Sequence, residues 1–272
     1  MKKIFDLRNK IIVITGASGS IGSELSCSLA EMGCKVVLLY NSTKPKKVVI
    51  ERLEKSLSDY EIYKCNVTAI EEIENCKDFI IDKFGSVDAL INCAGGNNPN
   101  ASTSKENSFF KISKESYQWV NDLNLLGTII PCQVFGQIFA EQKKGNIVNI
   151  SSMAAFRPLT KIPAYSSSKA AINSFTRWLS VHMAKEYSSN IRVNAIAPGF
   201  ILSKQNRFLL VDKSTGNYTK RGKSIIENTP MGKFGEPKEL LSTVAWLLSD
   251  YSNFVTGTIV PVDGGFDAYS GV

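Results

Sequence analysis

"KIIVITGASGSIGSEL", residues 10–25, passes from an unbroken apolar string through a glycine-spaced turn into a helix-forming segment. Ile11 to Ile14 show no polar alternation, which predicts a strand buried on both faces. Gly16, Gly19 and Gly22 allow positive φ angles and close backbone approach in the turn that follows. The start of the next helix then offers free N–H groups and a partial positive charge, which suit a pyrophosphate. A glycine pattern alone marks only a tight turn. Its place between a first strand and a first helix points to a dinucleotide, with Gly16, Ser18, Gly19, Ser20, Ile21 and Gly22 as the expected cradle.

Short β-branched runs recur at 35–40, 61–65, 87–92, 146–151, 191–197 and 258–263, and helical stretches begin near 20, 45, 69, 113, 164 and 237. This alternation predicts an α/β architecture: a Rossmann-like, doubly wound, parallel seven-stranded sheet with helices on both faces. No repeat, low-complexity tract or Pro/Gly-rich linker divides the 272 residues, so one domain over 1–272 is expected. Residues 95–112 and 198–232 fit no regular element. Both follow predicted strands at the carboxyl edge, where open α/β sheets bind ligands. Residues 200–230 are read as a substrate lid.

Composition narrows the function classes. The net charge of +7 comes from scattered lysines, the tightest group being "KPKK" at 44–47. That spread fits a solvated surface or an anionic small substrate, and no nucleic-acid partner is expected. No apolar run reaches the roughly 18 residues of a membrane span. Asp6, Arg8 and Lys10 interrupt any leader, so a cytoplasmic protein is expected. Six cysteines, at 27, 34, 65, 76, 93 and 132, form no CxxC pair, which suggests neither a zinc site nor a disulfide framework. His182, the only histidine, has no metal-binding or triad partners spaced near it and is read as structural.

The second strand ends in Tyr40, Asn41 and Ser42, where an acid would grip a ribose 2′-hydroxyl. No carboxylate repels a 2′-phosphate there, and Ser42 and Lys44 could help to hold one. The cofactor is NAD or NADP, with the choice open.

Further along come "NCAG" (92–95), "NLLG" (124–127), "NISS" (149–152), "YSSSK" (165–169), "NAIAPG" (194–199) and "PVDGG" (261–265). In this order and spacing they resemble the short-chain dehydrogenase/reductase family over essentially the whole chain. The resemblance implies four catalytic residues: Asn124, Ser152, Tyr165 and Lys169. Ser152 lies 13 residues before Tyr165, the family's usual interval, which favours it over Ser151. Asn92, Ala94 and Gly95 would line the adenosine side, with Asn66 and Val67 after the third strand. Pro198, Gly199, Ile201 and Ser203 would border the nicotinamide, and Lys169 would grip its ribose. Asn66 replaces the family's usual aspartate and Ser203 its common threonine. A homotetramer is also implied, with the helices after 113 and 164 forming one interface.

Tyr165 and Lys169 are one helical turn apart and leave the same face. A free phenol, with a pKa near ~10, is a poor base at neutral pH. An adjacent ammonium and an oxidised nicotinamide are expected to lower it.

"SSMAAFRPLTKIPAYS" (151–166), "NAIAPGFILSKQNRFLL" (194–210) and "TPMGKFGEP" (229–237) resemble a branch of that family that interconverts D-fructuronate and D-mannonate. A sugar acid needs a cation for its carboxylate and hydrogen-bonding groups for its hydroxyls. Asn97, Met153, Lys161 and Arg207 are the expected contacts, with Asn98, Arg157 and Asn206 close by in sequence. Lys161 or Arg207 is the favoured cation. The same chemistry would serve a gluconate or polyol dehydrogenase or a 3-oxoacyl-carrier-protein reductase, and a cofactor-binding regulator without turnover is the alternative of a different class.

Overall fold

Successive side chains of a strand point to opposite faces, so the unbroken apolar run of β1 (Ile11–Thr15) feeds two cores at once. Ile12 and Ile14 pack with Leu25 and Leu29 of α1 (Ser20–Glu31) and Val244 and Leu247 of α9 (Leu241–Leu248). Ile11 and Val13 pack on the other side with Ile73 and Ile80 of α3 (Ile70–Phe84). Phe135 and Phe139 of α5 (Gly127–Gln142) and Leu179 of α6 (Pro163–His182) complete that second core. Each such side chain, fully buried, contributes about 1.5–3 kcal/mol.

The computed structural model describes residues 5–203 and 206–271. The remaining strands are β2 (Lys35–Tyr40), β3 (Tyr60–Lys64), β4 (Ala89–Asn92), β5 (Gly145–Ile150), β6 (Ile191–Pro198) and β7 (Ile259–Val262). They form one parallel sheet in the order β3-β2-β1-β4-β5-β6-β7, and every expected strand boundary lies within two residues of the observed one. Beyond α1, the helices are α2 (Lys47–Ser56), α3, α4 (Lys114–Asn121), α5, α6, α7 (Arg207–Leu210), α8 (Lys220–Glu227) and α9. The strand order reverses between β1 and β4, and the carboxyl ends of these two strands are the usual ligand position in this architecture.

Two parts depart from expectation. The segment 198–232 is not irregular: α7 and α8 pack through Leu210, Val211 and Ile225 onto Phe234, and Val211 pairs with Tyr218. The eight residues of α8, "KRGKSIIE", carry four charges and a glycine, which hide the helical pattern. Residues 204 and 205 of the expected lid lie outside the described residues.

The other departure is the path Lys114–Gln142, where α4 and α5 join through a widened turn at Asp122–Leu126. Among the described helices it alone is long and apolar enough to cross a bilayer, although no uninterrupted apolar run of that length marks it in the sequence. Val120, Phe135 and Phe139 on it are fully buried in the protein's own interior.

Candidate active site

Thr15, the last residue of β1, stands in register with Asn92 at the end of β4. Its buried Oγ1 accepts hydrogen bonds from the N–H groups of Cys93 and Ala94, both at 3.0 Å. The turn after β4 is thereby held against the glycine turn. Gly16 has φ +62°, and a Cβ there would sit 2.6 Å from Ala94 Cα, so only glycine allows the two loops to meet.

The first turn of α1 carries no acidic side chain, and its N-cap Gly19 supplies no capping side chain. Its leading N–H groups and positive end remain available to an anion. Ser18 Oγ is buried beside them without a partner. An unpaired buried hydroxyl is costly, and a bound phosphate would satisfy it. These residues fit a dinucleotide.

Tyr40 is buried at the end of β2, while Asn41, Ser42 and Lys44 are exposed. Asn66 Oδ1 accepts from the N–H and hydroxyl of Thr68, which leaves its side-chain NH2 for a base. Val67 is buried against Gly127. For Asn92 the expectation needs correction. Its side chain is buried, and Nδ2 donates to Asn149 Oδ1 at 2.9 Å and to Cys132 Sγ at 3.1 Å. Strand alternation turns it onto the face covered by α5, so only its backbone is left for the adenosine side.

The same polar ladder docks α6. Asn149 Nδ2 donates to Thr176 Oγ1 at 2.9 Å, and Ser151 Oγ donates to Asn173 Oδ1 at 2.5 Å. Ser151 is thus committed inside, and Ser152 is the serine whose hydroxyl acts on the Tyr165 phenol. Lys169 is only 4% exposed; its Nζ donates to the Ile150 carbonyl at 2.8 Å and lies 5.6 Å from the Tyr165 ring centre. Asn124, in the widened turn, donates from Nδ2 to the carbonyls of Gly96 and Val120, both at 2.7 Å. A Cβ built on Gly95 would lie 2.8 Å from Asn124 Oδ1 and 3.4 Å from Lys169 Nζ, so both groups converge on that loop. All four residues expected to be catalytic thus cluster at the carboxyl ends of β4 and β5.

Burial pushes the Lys169 ammonium down to about 8. It also pushes the Tyr165 phenol up, opposed by the Ser152 hydrogen bond. The expected lowering of the phenol is therefore not a property of the protein alone, because desolvation outweighs the neighbouring groups.

On the nicotinamide side, Pro198 ends β6, the Gly199 N–H donates to Val262 O at 3.0 Å, and Ile201 is buried. Ser203 N–H donates to Asn206 Oδ1, while Asn206 Nδ2 donates to Ile201 O. Asn206 therefore closes this turn and is not free for a substrate.

The expected substrate contacts scatter. Met153 is 1% exposed, buried beneath the loop after Ser152, which corrects its expected role. Asn97 Nδ2 donates to Ser102 Oγ, and Asn98 Oδ1 caps Asn100. Lys161 and Arg207 are exposed, and Arg157 pairs with Asp267. A cleft of about 340 Å³ instead brings Arg157 and Thr160 opposite Arg221 and Ser224 of α8 and Asn228 at its C-cap. Thr15 and Arg221 were not singled out from sequence. Thr15 is the first residue of the glycine-turn motif, but Arg221 carries no distinguishing pattern.

A nucleotide-phosphate cradle facing a Tyr–Lys pair across one sheet edge defines a dinucleotide-dependent oxidoreductase. A family model described as enoyl-(acyl carrier protein) reductase matches residues 16–267. A crystal structure from Haemophilus influenzae, of a provisionally assigned D-mannonate oxidoreductase with bound NAD, is 45% identical, with a TM-score of 0.91 and 98% of each chain covered. The uncharacterised oxidoreductase UxuB of Bacillus subtilis is 42% identical over 98% of both chains. A 2-dehydro-3-deoxy-D-gluconate 5-dehydrogenase of Dickeya dadantii is 30% identical over 96% of this chain and 97% of its own. The chain belongs to the short-chain dehydrogenase/reductase family.

Proposed function

We propose that the protein interconverts D-fructuronate and D-mannonate with NAD or NADP. The observation that carries the chemistry is the packing of Lys169 beside Tyr165, with the Ser152 hydroxyl lowering the phenol against the effect of burial. The glycine turn from Gly16 to Gly22, Val67, the 92–95 turn and Pro198 to Ser203 would hold the cofactor. Bound there, the nicotinamide supplies the acceptor or donor for the carbinol hydride.

The protein's own residues handle the oxygen. Ser152 holds the substrate hydroxyl or carbonyl facing Tyr165. Tyr165 takes the hydroxyl proton in oxidation and returns one in reduction, a role typically worth about 10²–10⁴-fold. Lys169 stabilises the phenolate and would grip the nicotinamide ribose. Asn124, fixed by the widened turn, would hold a water that links Lys169 to solvent.

The sugar-acid reading draws on the cleft with two arginines beside the catalytic loop and on the resemblance to the Haemophilus influenzae and Dickeya dadantii proteins. Helix α8 lines one wall of that cleft, which supports reading the segment 200–230 as a substrate lid. Steady-state rates with D-fructuronate and with a 3-oxoacyl thioester, each against NADH and NADPH, test the reading. Turnover of the thioester with none of fructuronate would overturn it.

The active form is read as a homotetramer in the cytoplasm. Trp178 and Val181 on α6 are 59% and 58% exposed, an apolar face suited to a second copy. All six cysteines are free thiols, as a reducing compartment favours.

A further inference from the structure

We infer that Arg221 is the specificity residue that selects an anionic substrate by taking its carboxylate, an inference that rests on the sugar-acid reading above. The cleft of about 340 Å³ lies between the stretch linking Ser152 to Tyr165, α8 and the turn at Phe266–Tyr269. Phe200, the neighbour of Gly199, also lines it. Among the described residues its lining holds two guanidinium groups and no carboxylate, with hydroxyl and amide groups from Thr160, Ser224 and Asn228. That is the chemistry of a polyhydroxylated acid.

The two arginines differ in what they already hold. Arg157 Nε donates to Asp267 Oδ1 at 2.8 Å, and its Nη2 donates to the Asp267 carbonyl. Asp267 is fixed in turn by its N–H donating to Asp263 Oδ2 at 2.8 Å. Arg157 is therefore neutralised and serves to fix the loop. Arg221 is half-buried, yet among the described residues it has neither an ion pair nor a hydrogen bond. A partly desolvated guanidinium with no partner favours an incoming anion, and its planar fork matches a carboxylate.

The residue is also well placed. Thr219 Oγ1 caps α8 by accepting from Gly222 N–H at 3.0 Å, and Ile225 anchors the helix in its own apolar cluster. Arg221, Ser224 and Asn228 are three and four residues apart and share one face. Lys161 and Arg207, the cations favoured by sequence, are exposed and do not line the cleft.

The test is kinetic, on the full-length protein with its cofactor, comparing D-fructuronate with neutral keto sugars. Arg221→Gln is expected to raise KM for the acid and reduce its preference over the neutral analogue, each by roughly 10- to 100-fold. Arg221→Lys should recover part of the loss. Retained dinucleotide binding, followed by protein fluorescence, would show that the variants are folded. If wild type reduces sugar acids but Arg221→Gln leaves KM and preference unmoved, the assignment of Arg221 alone falls. It also falls if Lys161→Gln or Arg207→Gln moves them instead. A wild type that reduces no sugar acid overturns both this inference and the reading beneath it.

Discussion

Lys169 Nζ donates to the Ile150 carbonyl at 2.8 Å, which ties helix α6 to the end of β5 two residues before Ser152. One hydrogen bond thus couples the element carrying Tyr165 to the element carrying its hydroxyl partner. With the Ser151–Asn173 and Asn149–Thr176 bonds, it gives the site its positional accuracy.

Tyr165→Phe keeps the ring and removes the proton carrier. Turnover is expected to fall roughly 10²–10⁴-fold while dinucleotide affinity is largely kept. Steady-state rates and a fluorescence titration measure the two. Retained turnover would remove Tyr165 from its acid/base role.

Lys169 makes stability depend on pH. Its folded value of about 8 lies below the 10.5 of a free lysine. Between these values the unfolded chain holds a proton that the folded chain has released, so stability rises with pH. Tyr165, pushed up by burial, reverses the trend only above its free value of 10.0. Urea unfolding of wild type and Lys169→Met is expected to show the difference moving in favour of wild type as pH rises from 8 toward 10. A constant difference would mean that the lysine is not shielded from water.

Thr15→Val preserves shape but leaves the N–H groups of Cys93 and Ala94 without their shared acceptor. A cost of about 1–3 kcal/mol is expected in urea unfolding, with weaker dinucleotide binding, and Thr15→Ser should restore both. Unchanged stability in Thr15→Val would show that the loop finds another acceptor.

A methyl group on Gly145 would lie 2.1 Å from Phe139 Cγ. Gly145→Ala is expected to lose about 1–3 kcal/mol through overpacking. Adding Phe139→Leu should recover part of it, because residues in contact do not act independently. Additive losses in the double variant would contradict the contact.

Trp178→Glu places a charge on the exposed apolar face of α6. Sedimentation is expected to show a smaller assembly than wild type at equal concentration. An unchanged sedimentation coefficient would move the interface elsewhere.

The β1–turn–α1 unit was legible because its signals agree: an apolar run, glycines and then a helical period. Helix α8 was not, since eight residues with four charges give no clear stripe. A motif match likewise cannot say which way a side chain faces, so the motif suggests Asn92 for the adenosine side although its amide is buried between the sheet and α5. Met153 was misplaced for the same reason, because adjacency to Ser152 in sequence says nothing about burial. Arg221 was hidden among 32 basic residues, and only its lack of a partner inside a cleft distinguishes it.

The widened turn at Asp122–Leu126 behaves as a one-residue insertion in an otherwise regular rod. Deleting one residue there would restore ordinary winding and draw the Asn124 amide away from Gly96.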